Sequence, residues 1–492
     1  MTRSELSFHF DNTYHRLPER FFARVLPVRV KAPALVLFNA PLAEELGLDP
    51  ERLAPHAAEI FSGNRWPADA DPIALVYAGH QFGHFVPRLG DGRAHLMGEV
   101  IDRHGRRRDL QWKGSGQTPY SRQGDGRAWL GPVLREYLIS EAMWALGIPT
   151  TRSLAAVTTG EAVRRERVLP GAVLTRVAAS HLRVGTFEYF ASRGDREGVR
   201  LLADYAMARH DPECLTGGEG RYLAFLQRIV DRQAGLIARW LLVGFIHGVM
   251  NTDNMSISGE TIDYGPCAFM NGYDPDTVFS SIDSWGRYAF GNQPGIGAWN
   301  LARLAETLMP LFASDSKEAL RLANETVESF PDRFLHHWMA GMRHKLGLFR
   351  EEPEDQELVR ELLETMQNER ADYTLTFRGL CAASGGEDGM VRALFSDPVR
   401  LDGWLARWRA RLERDASPPE ARFSRMRLAN PQFIPRNHLV EAALEAAVAG
   451  DMQPFGTLLA LLQRPYDDQP GREAYAALPP PSTEPFQTFC GT

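Results

Sequence analysis

Asn254 and Asp263 are the residues best suited to chemistry in this chain. They stand nine residues apart in the run His247-Gly248-Val249-Met250-Asn251-Thr252-Asp253-Asn254 and the following Thr261-Ile262-Asp263-Tyr264-Gly265. An amide oxygen and a carboxylate are hard donors. On a loop and the hairpin after it, the pair can converge on one Mg²⁺, which completes its shell with phosphate oxygens and water. Either residue alone also reads as a turn former bonding its own backbone. A further carboxylate, Asp253, directly precedes Asn254 and is a candidate proton acceptor. Together these types point to displacement at a nucleotide phosphate.

The order matches a phosphotransferase catalytic loop, His-x-Asp-x-x-x-x-Asn followed by Asp-x-Gly, with one part changed. Val249 stands where the hydroxyl-activating Asp belongs, and valine accepts no proton. The metal-holding pair is intact and the base is absent or moved, which suggests nucleotide chemistry other than ordinary phosphorylation. Lys113, in Leu110-Gln111-Trp112-Lys113-Gly114, occupies a polar slot of a strand and would hold phosphates while pairing with a helix glutamate. Glu136, 23 residues on, is the natural partner; the competing reading is a surface lysine on an edge strand. Gly90-Asp91-Gly92-Arg93 would bring backbone N–H groups and a guanidinium to phosphate. A tight hairpin turn gives the same glycines. Gly114-Ser115-Gly116-Gln117 and Gln123-Gly124-Asp125-Gly126-Arg127 are further glycine-rich loops. Arg176 and Arg183 would clamp a polyphosphate tail, although each alone also reads as a salt-bridge residue. Walker-type and Rossmann glycine patterns are absent.

Strands and helices on both sides of these residues must position them. The runs Ile73-Ala74-Leu75-Val76-Tyr77, Arg93 to Ile101, Leu110 to Lys113 and Ala172 to Val177 alternate or cluster as strands, which predicts a small antiparallel sheet. A helix is expected from Val133 to Leu146, stopped by Gly147 and Pro149. Tyr222 to Phe245 reads as a long helix delivering the chain into the His247 loop, and helices are expected over Trp299–Leu311, Lys317–Phe330, Arg333–Lys345 and most of 355–465. Residues 1–70 are rich in proline and show no sheet pattern. The expected organisation is an extension over 1–70, a β-rich lobe over 71–178 and a helical lobe with the catalytic loop over 179–345. A helical region over 346–470 and a tail over 471–492 follow. This is an α+β, protein-kinase-like two-lobed fold with N- and C-terminal extensions, and a nucleotide would sit between the lobes.

At 492 residues the length fits two to four domains of about 150 residues each. With 44% hydrophobic and 24% charged residues the composition is that of a globular protein. A net charge of −7 provides no basic field for nucleic acid or anionic lipid. Arg106-Arg107-Arg108 reads as an exposed hairpin turn rather than a phosphate patch. Four cysteines, at 214, 267, 381 and 490, form no Cys-x-x-Cys pair, which argues against a zinc site or a disulfide scaffold and suits a reducing compartment. The start lacks an apolar signal core, and the uncharged run Trp240–Met250 is too short for a bilayer. A cytoplasmic monomer without membrane or nucleic-acid partners is expected.

The segments Tyr77-Ala78-Gly79-His80-Gln81-Phe82-Gly83, Gln111 to Gly116, Asp125-Gly126-Arg127, His247 to Met255, Asp263-Tyr264-Gly265-Pro266 and Gly291-Asn292-Gln293-Pro294 resemble the selenoprotein O family over nearly the whole chain. The resemblance implies a protein adenylyltransferase on a pseudokinase fold, with ATP flipped so that AMP is passed to Ser, Thr or Tyr hydroxyls of substrate proteins. It implies nucleotide contacts at Gly90, Gly92, Arg93, Lys113, Asp125, Gly126, Arg176, Arg183 and Asp263, and Mg²⁺ at Asn254 and Asp263. Asp253 would be the proton acceptor and Glu136 the supporting ion pair. UMP transfer from UTP with Mn²⁺ is implied as well. The family carries a selenocysteine or cysteine third from its C-terminus, linked to redox control, and Cys490 is in that place. Cys267, just past Asp263-Tyr264-Gly265, is a candidate partner that matches no family pattern; an inert thiol is the other reading. Two rivals stand beside nucleotidyl transfer: a kinase whose base is displaced to Asp253, and an inactive nucleotide-binding scaffold.

Overall fold

Lys113 lies at the end of an interior strand of a mixed α/β structure. The computed structural model describes residues 6–415, 417–480 and 486–489. Its main sheet is antiparallel and runs in the order Phe22–Arg24, Ile73–Leu75, Ala94–Ile101, Arg107–Lys113, Val168–Ala178, Arg152–Arg164 and Ala34–Phe38. A short strand, Ala128–Trp129, pairs with Val168–Ala178. Both ends of the order therefore come from before residue 70, where no sheet pattern was expected. Phe22–Arg24 has only three residues, and Ala34–Phe38 is an unbroken apolar run, so neither shows a two-residue period. The 13-residue strand Arg152–Arg164 also escapes the pattern, because both its faces are buried over most of its length.

The three consecutive arginines stand at a hairpin turn, as expected: Arg106 is exposed and its carbonyl accepts from the Asp102 N–H at 2.8 Å to close it. The turn falls at 103–105, and Arg107 and Arg108 belong to the following strand. Arg106 pairs with Glu45 at 2.8 Å, Arg107 with Asp11 at 2.6 Å, and Arg108 with Asp102 at 3.2 Å and Glu260 at 3.4 Å.

Alternation along the strands splits the core into two layers. Leu110, Trp112, Val173 and Val177 face an outer layer built from Leu42, Leu53, Ile60 and Phe61 of the first 70 residues. Gln111, Lys113, Leu174 and Arg176 face the other way, toward the helix Leu130–Ala145. That helix has Pro132 near its start, where a missing N–H costs nothing, and ends before Gly147, whose φ is +75°.

Beyond residue 183 the chain is mainly helical, and Val184–Ala191, Arg196–His210, Arg221–Leu242 and Gln293–Leu308 pack on one another. Arg221–Leu242 leads into the strand Phe245–Ile246, which pairs with Ala268–Phe269. This pairing folds the stretch carrying Asn254 and Asp263 into one closed excursion. Asn437 bonds the backbone N–H and carbonyl of Phe269 at 3.1 and 2.9 Å, and its helix, Asn437–Val448, packs on Leu130–Ala145. Arg436 and Asp372 form a buried ion pair beside it. Among the described residues no helix is long and apolar enough to cross a membrane.

Trp112 is fully buried and its indole N–H donates to the Ile60 carbonyl at 3.0 Å. Trp112→Phe removes that bond and part of the ring volume, and should cost about 1–3 kcal/mol. A lowered thermal midpoint checks this.

Candidate active site

Opposite partners in the sheet register set the first half of the site. Gln111 pairs with Arg176 and Lys113 with Leu174, so Lys113 and Arg176 project from neighbouring strands on one face. Glu136, on the helix below, meets both: Lys113 Nζ at 2.6 Å and Arg176 Nε at 3.0 Å. The lysine–glutamate pair expected from chain order is thus formed, and the lysine strand is not an edge.

Asp263 supplies the second half. Its carboxylate accepts from Lys113 at 2.8 Å, Arg176 at 2.7 Å and Arg183 at 2.9 Å. The residue sits at φ +64°, a conformation that Asp tolerates better than most side chains. Burial by itself would raise the Asp263 carboxyl, but Arg176, Lys113 and Arg183 outweigh it and hold it well below the usual carboxylate range. Lys113, Arg176 and Arg183 therefore converge on Asp263, with Glu136 against the first two and Asp91 4.0 Å from Arg183, and the cluster faces a cleft.

Asp253 lies in a single turn, Thr252–Asn254, with an environment of the opposite kind. It is buried, and that burial raises its carboxyl to about 6. One oxygen accepts from Gln81 Nε2 at 3.3 Å; the other is buried with no hydrogen-bond donor among the described residues. The hairpin Gly79–Val86 holds this loop at consecutive residues. His80 N–H donates to Thr252 Oγ1 at 2.7 Å, and Phe82 N–H donates to Asn251 Oδ1 at 3.0 Å. His247 is buried away from solvent and bonds the Ile262 carbonyl at 2.9 Å, which ties the loop to the residue before Asp263.

These groups line one cleft of about 1620 Å³, which also receives Gly90, Gly92, Arg93, Asp125, Gly126, Val249 and Asn254. The glycine loop is not a hairpin turn between paired strands. Thr118 Oγ1 donates to the Asp91 carbonyl at 2.7 Å, so the loop is fastened to the second glycine-rich segment. Gly90 has φ +75°, and a Cβ there would collide with the Tyr120 ring. Gly126, at φ +68°, leaves no room for a Cβ against the Gly116 carbonyl. Arg93 makes no ion pair among the described residues. Asp125 is exposed on the rim and is engaged by Arg165 at 2.8 and 3.1 Å.

Sequence reasoning passed over three residues that shape this site. Asp91 is buried and accepts from the Leu75 N–H at 3.1 Å and Gln111 Nε2 at 3.2 Å. Tyr77 lies under the Arg183 guanidinium at 4.6 Å. Gln81 is the donor to Asp253. A carboxylate between two glycines was the available signal for Asp91; nothing local marks the other two.

Cys267 does not line the cleft. It is fully buried, and burial pushes its thiol up to about 11. Cys490 lies outside the described residues. Just before it, Thr488 donates through Oγ1 to the Pro266 carbonyl at 2.6 Å.

The donor set suits a hard divalent cation. The Asn254 amide N–H₂ is used on the Val249 carbonyl at 3.0 Å, which leaves its oxygen without a protein donor among the described residues. Asp263 is ionised and its side chain is 21% exposed, so it remains reachable. Two protein oxygens are enough where phosphates complete the shell. No cluster of three or more His, Cys, Asp or Glu residues among the described residues offers a competing metal site.

A family model described as protein adenylyltransferase SelO matches residues 4–463. The chain is 60% identical over 489 residues to the protein nucleotidyltransferase YdiU of Rhizobium meliloti (strain 1021), covering 99% of this chain and 100% of that one. It is 60% identical over 486 residues to the YdiU protein of Rhizobium rhizogenes (strain K84 / ATCC BAA-868), with 98% and 97% covered. It is also 60% identical over 488 residues to that of Bradyrhizobium sp. (strain ORS 278), with 99% of each covered.

Asp263→Asn keeps the backbone preference but leaves Lys113, Arg176 and Arg183 facing only Glu136 and the more distant Asp91. The expected loss is about 3–5 kcal/mol, from uncompensated buried charge. Tripolyphosphate should raise the thermal midpoint of this variant more than that of the wild type; equal shifts would refute an anion-seeking cluster.

Proposed function

The chain belongs to the SelO family of protein adenylyltransferases, and from that premise we propose that it moves AMP from ATP to a Ser, Thr or Tyr hydroxyl of an acceptor protein, with UTP as a second donor when Mn²⁺ is present. That it is a nucleotidyltransferase follows from the family; acceptor, nucleotide and residue roles are the proposal. The observation that carries it is the cation cluster on Asp263 set beside a buried, partly unpartnered Asp253 in one cleft.

In this reading 71–178 and 179–345 act as the two lobes of a kinase-like fold, with 1–70 backing the sheet and 346–470 buttressing the second lobe. The acceptor oxygen attacks the α-phosphorus, the bond to the bridging oxygen breaks, and pyrophosphate leaves. Lys113, Arg176 and Arg183 hold the phosphates and oppose the charge that builds up on them. Glu136 fixes Lys113 and Arg176 in place. The glycine loops at 90–93 and 124–127 bring backbone N–H groups and Arg93 against the nucleotide, with Asp125 at the rim. Mg²⁺ or Mn²⁺ on Asn254 and Asp263 would supply further charge neutralisation. Asp253 takes the hydroxyl proton. Val249 lines the cleft but supplies no base, so the proton must go elsewhere, and Asp253 is the carboxylate with a free oxygen. Cys490 remains the redox element of the proposal, whereas the burial of Cys267 favours the inert thiol.

Purified protein incubated with α-³²P-ATP or γ-³²P-ATP should pass label from the α position only. Label from γ would establish a kinase with a displaced base, and no label with ATP still bound would establish a scaffold. Asp263→Ala and Lys113→Met should abolish or strongly reduce transfer. Asp253→Asn should lower turnover by about 10²–10⁴ with little change in ATP affinity.

The base must be ionised to work, and burial raises Asp253 to about 6, so turnover should climb as pH rises through that value. Asp253→Asn should flatten this limb, and a wild-type profile without it would count against the assignment.

A further inference from the structure

Trp285 is 95% exposed, although tryptophan is seldom left to solvent over so much of its surface. Ile282, three residues before it, is 56% exposed. The loop that carries them is firmly held. The buried Asp283 carboxylate accepts the backbone N–H groups of Arg287 at 2.9 Å and Tyr288 at 2.8 Å. The Tyr288 hydroxyl donates to Asn251 Oδ1 at 2.7 Å, and its ring lies 5.1 Å from that of Phe82. A loop pinned at both ends therefore presents an apolar side chain outward.

Phe82, Ile282, Trp285, Arg287 and Ile296 line a groove of about 500 Å³. Phe82 and Ile282 also line the nucleotide cleft, so the two spaces share a wall. The shared wall is bonded to Asn251, two residues before Asp253. The Arg287 guanidinium lies over the Trp299 ring at 4.9 Å, and it has no carboxylate partner among the described residues. Asp283 does not supply one, because its oxygens are used on the backbone.

We propose that this groove docks the acceptor protein. Its occupant is an extended segment with an apolar side chain set against Trp285, Ile282 and Phe82 and a carboxylate on Arg287, adjacent to the hydroxyl that reaches Asp253. The proposal deepens the function above and rests on it. An exposed tryptophan beside an arginine that lacks a carboxylate partner among the described residues is a pairing of residue types that dominate interface energetics. The wall shared with the cleft, bonded to Asn251 two residues before Asp253, favours an acceptor chain over a second copy of this protein.

The test uses α-³²P-ATP and an oriented peptide library with a central Ser, Thr or Tyr. Wild type should label peptides with apolar and acidic flanks. Trp285→Ala should lower kcat/KM for those peptides about tenfold through KM, with ATP affinity unchanged. Arg287→Glu should switch selection from acidic to basic flanks. Labelling indifferent to the flanks, or unchanged selection in both variants, would overturn the groove while leaving nucleotidyl transfer intact. A concentration-dependent wild-type dimer that Trp285→Ala dissociates would make the face a self-association surface and overturn it too. If wild type passes no α label to any peptide while binding ATP, acceptor transfer falls, and the docking role falls with it.

Discussion

The Asp263 carboxylate, shared among Lys113, Arg176 and Arg183, is the interaction on which the rest of the site depends. Lys113 and Arg176 belong to the sheet, Arg183 to the chain that leaves it, and Asp263 to the excursion closed by Phe245–Ile246 and Ala268–Phe269. One anion therefore joins three segments distant in sequence. An ion cluster this deep is weak evidence for stability, because desolvation offsets much of its Coulomb gain. Its geometry suits the anion site proposed above, in which carboxylates already hold the cations in place.

Two aspartates ten residues apart are driven in opposite directions by their surroundings. Asp263 is kept ionised by adjacent cations, whereas Asp253 is pushed toward the neutral form by burial, which outweighs the opposing pull of Arg183, a backbone hydrogen bond and Gln81. Divergent environments for like groups are a physical route to a division of labour between charge stabilisation and proton transfer. The hairpin Gly79–Val86 matters for the same reason. It fixes the loop of Asp253 through Thr252 and Asn251, and through Phe82 it joins that loop to the groove that presents Trp285.

The helices were legible because their apolar period and their stop signals are local: Leu130–Ala145 and Arg221–Leu242 lie within a few residues of their expected bounds. The lysine strand and the strand ending at Ala178 were legible for the same reason. Phe22–Arg24, Ala34–Phe38 and Arg152–Arg164 were not, since short, wholly apolar or doubly buried strands carry no alternation. The arginine run marked its hairpin but not its partners, because sequence shows charge alone: Glu45, Asp11 and Glu260 arrive from distant segments.

Residue type and spacing by themselves determined the chemistry within reach: hard oxygen donors at Asn254 and Asp263, a lysine with its glutamate, glycine loops, and a valine where a base would stand. These are fixed by side-chain identity along short stretches of backbone. Tertiary structure alone decided that Asp263 is shared by three cations, that Asp253 is buried beside Gln81, that Asp91 is engaged inside the fold and that Trp285 is left outside it. Those properties belong to electrostatic and solvent environments, and an environment is assembled from residues that the chain brings together only when it folds.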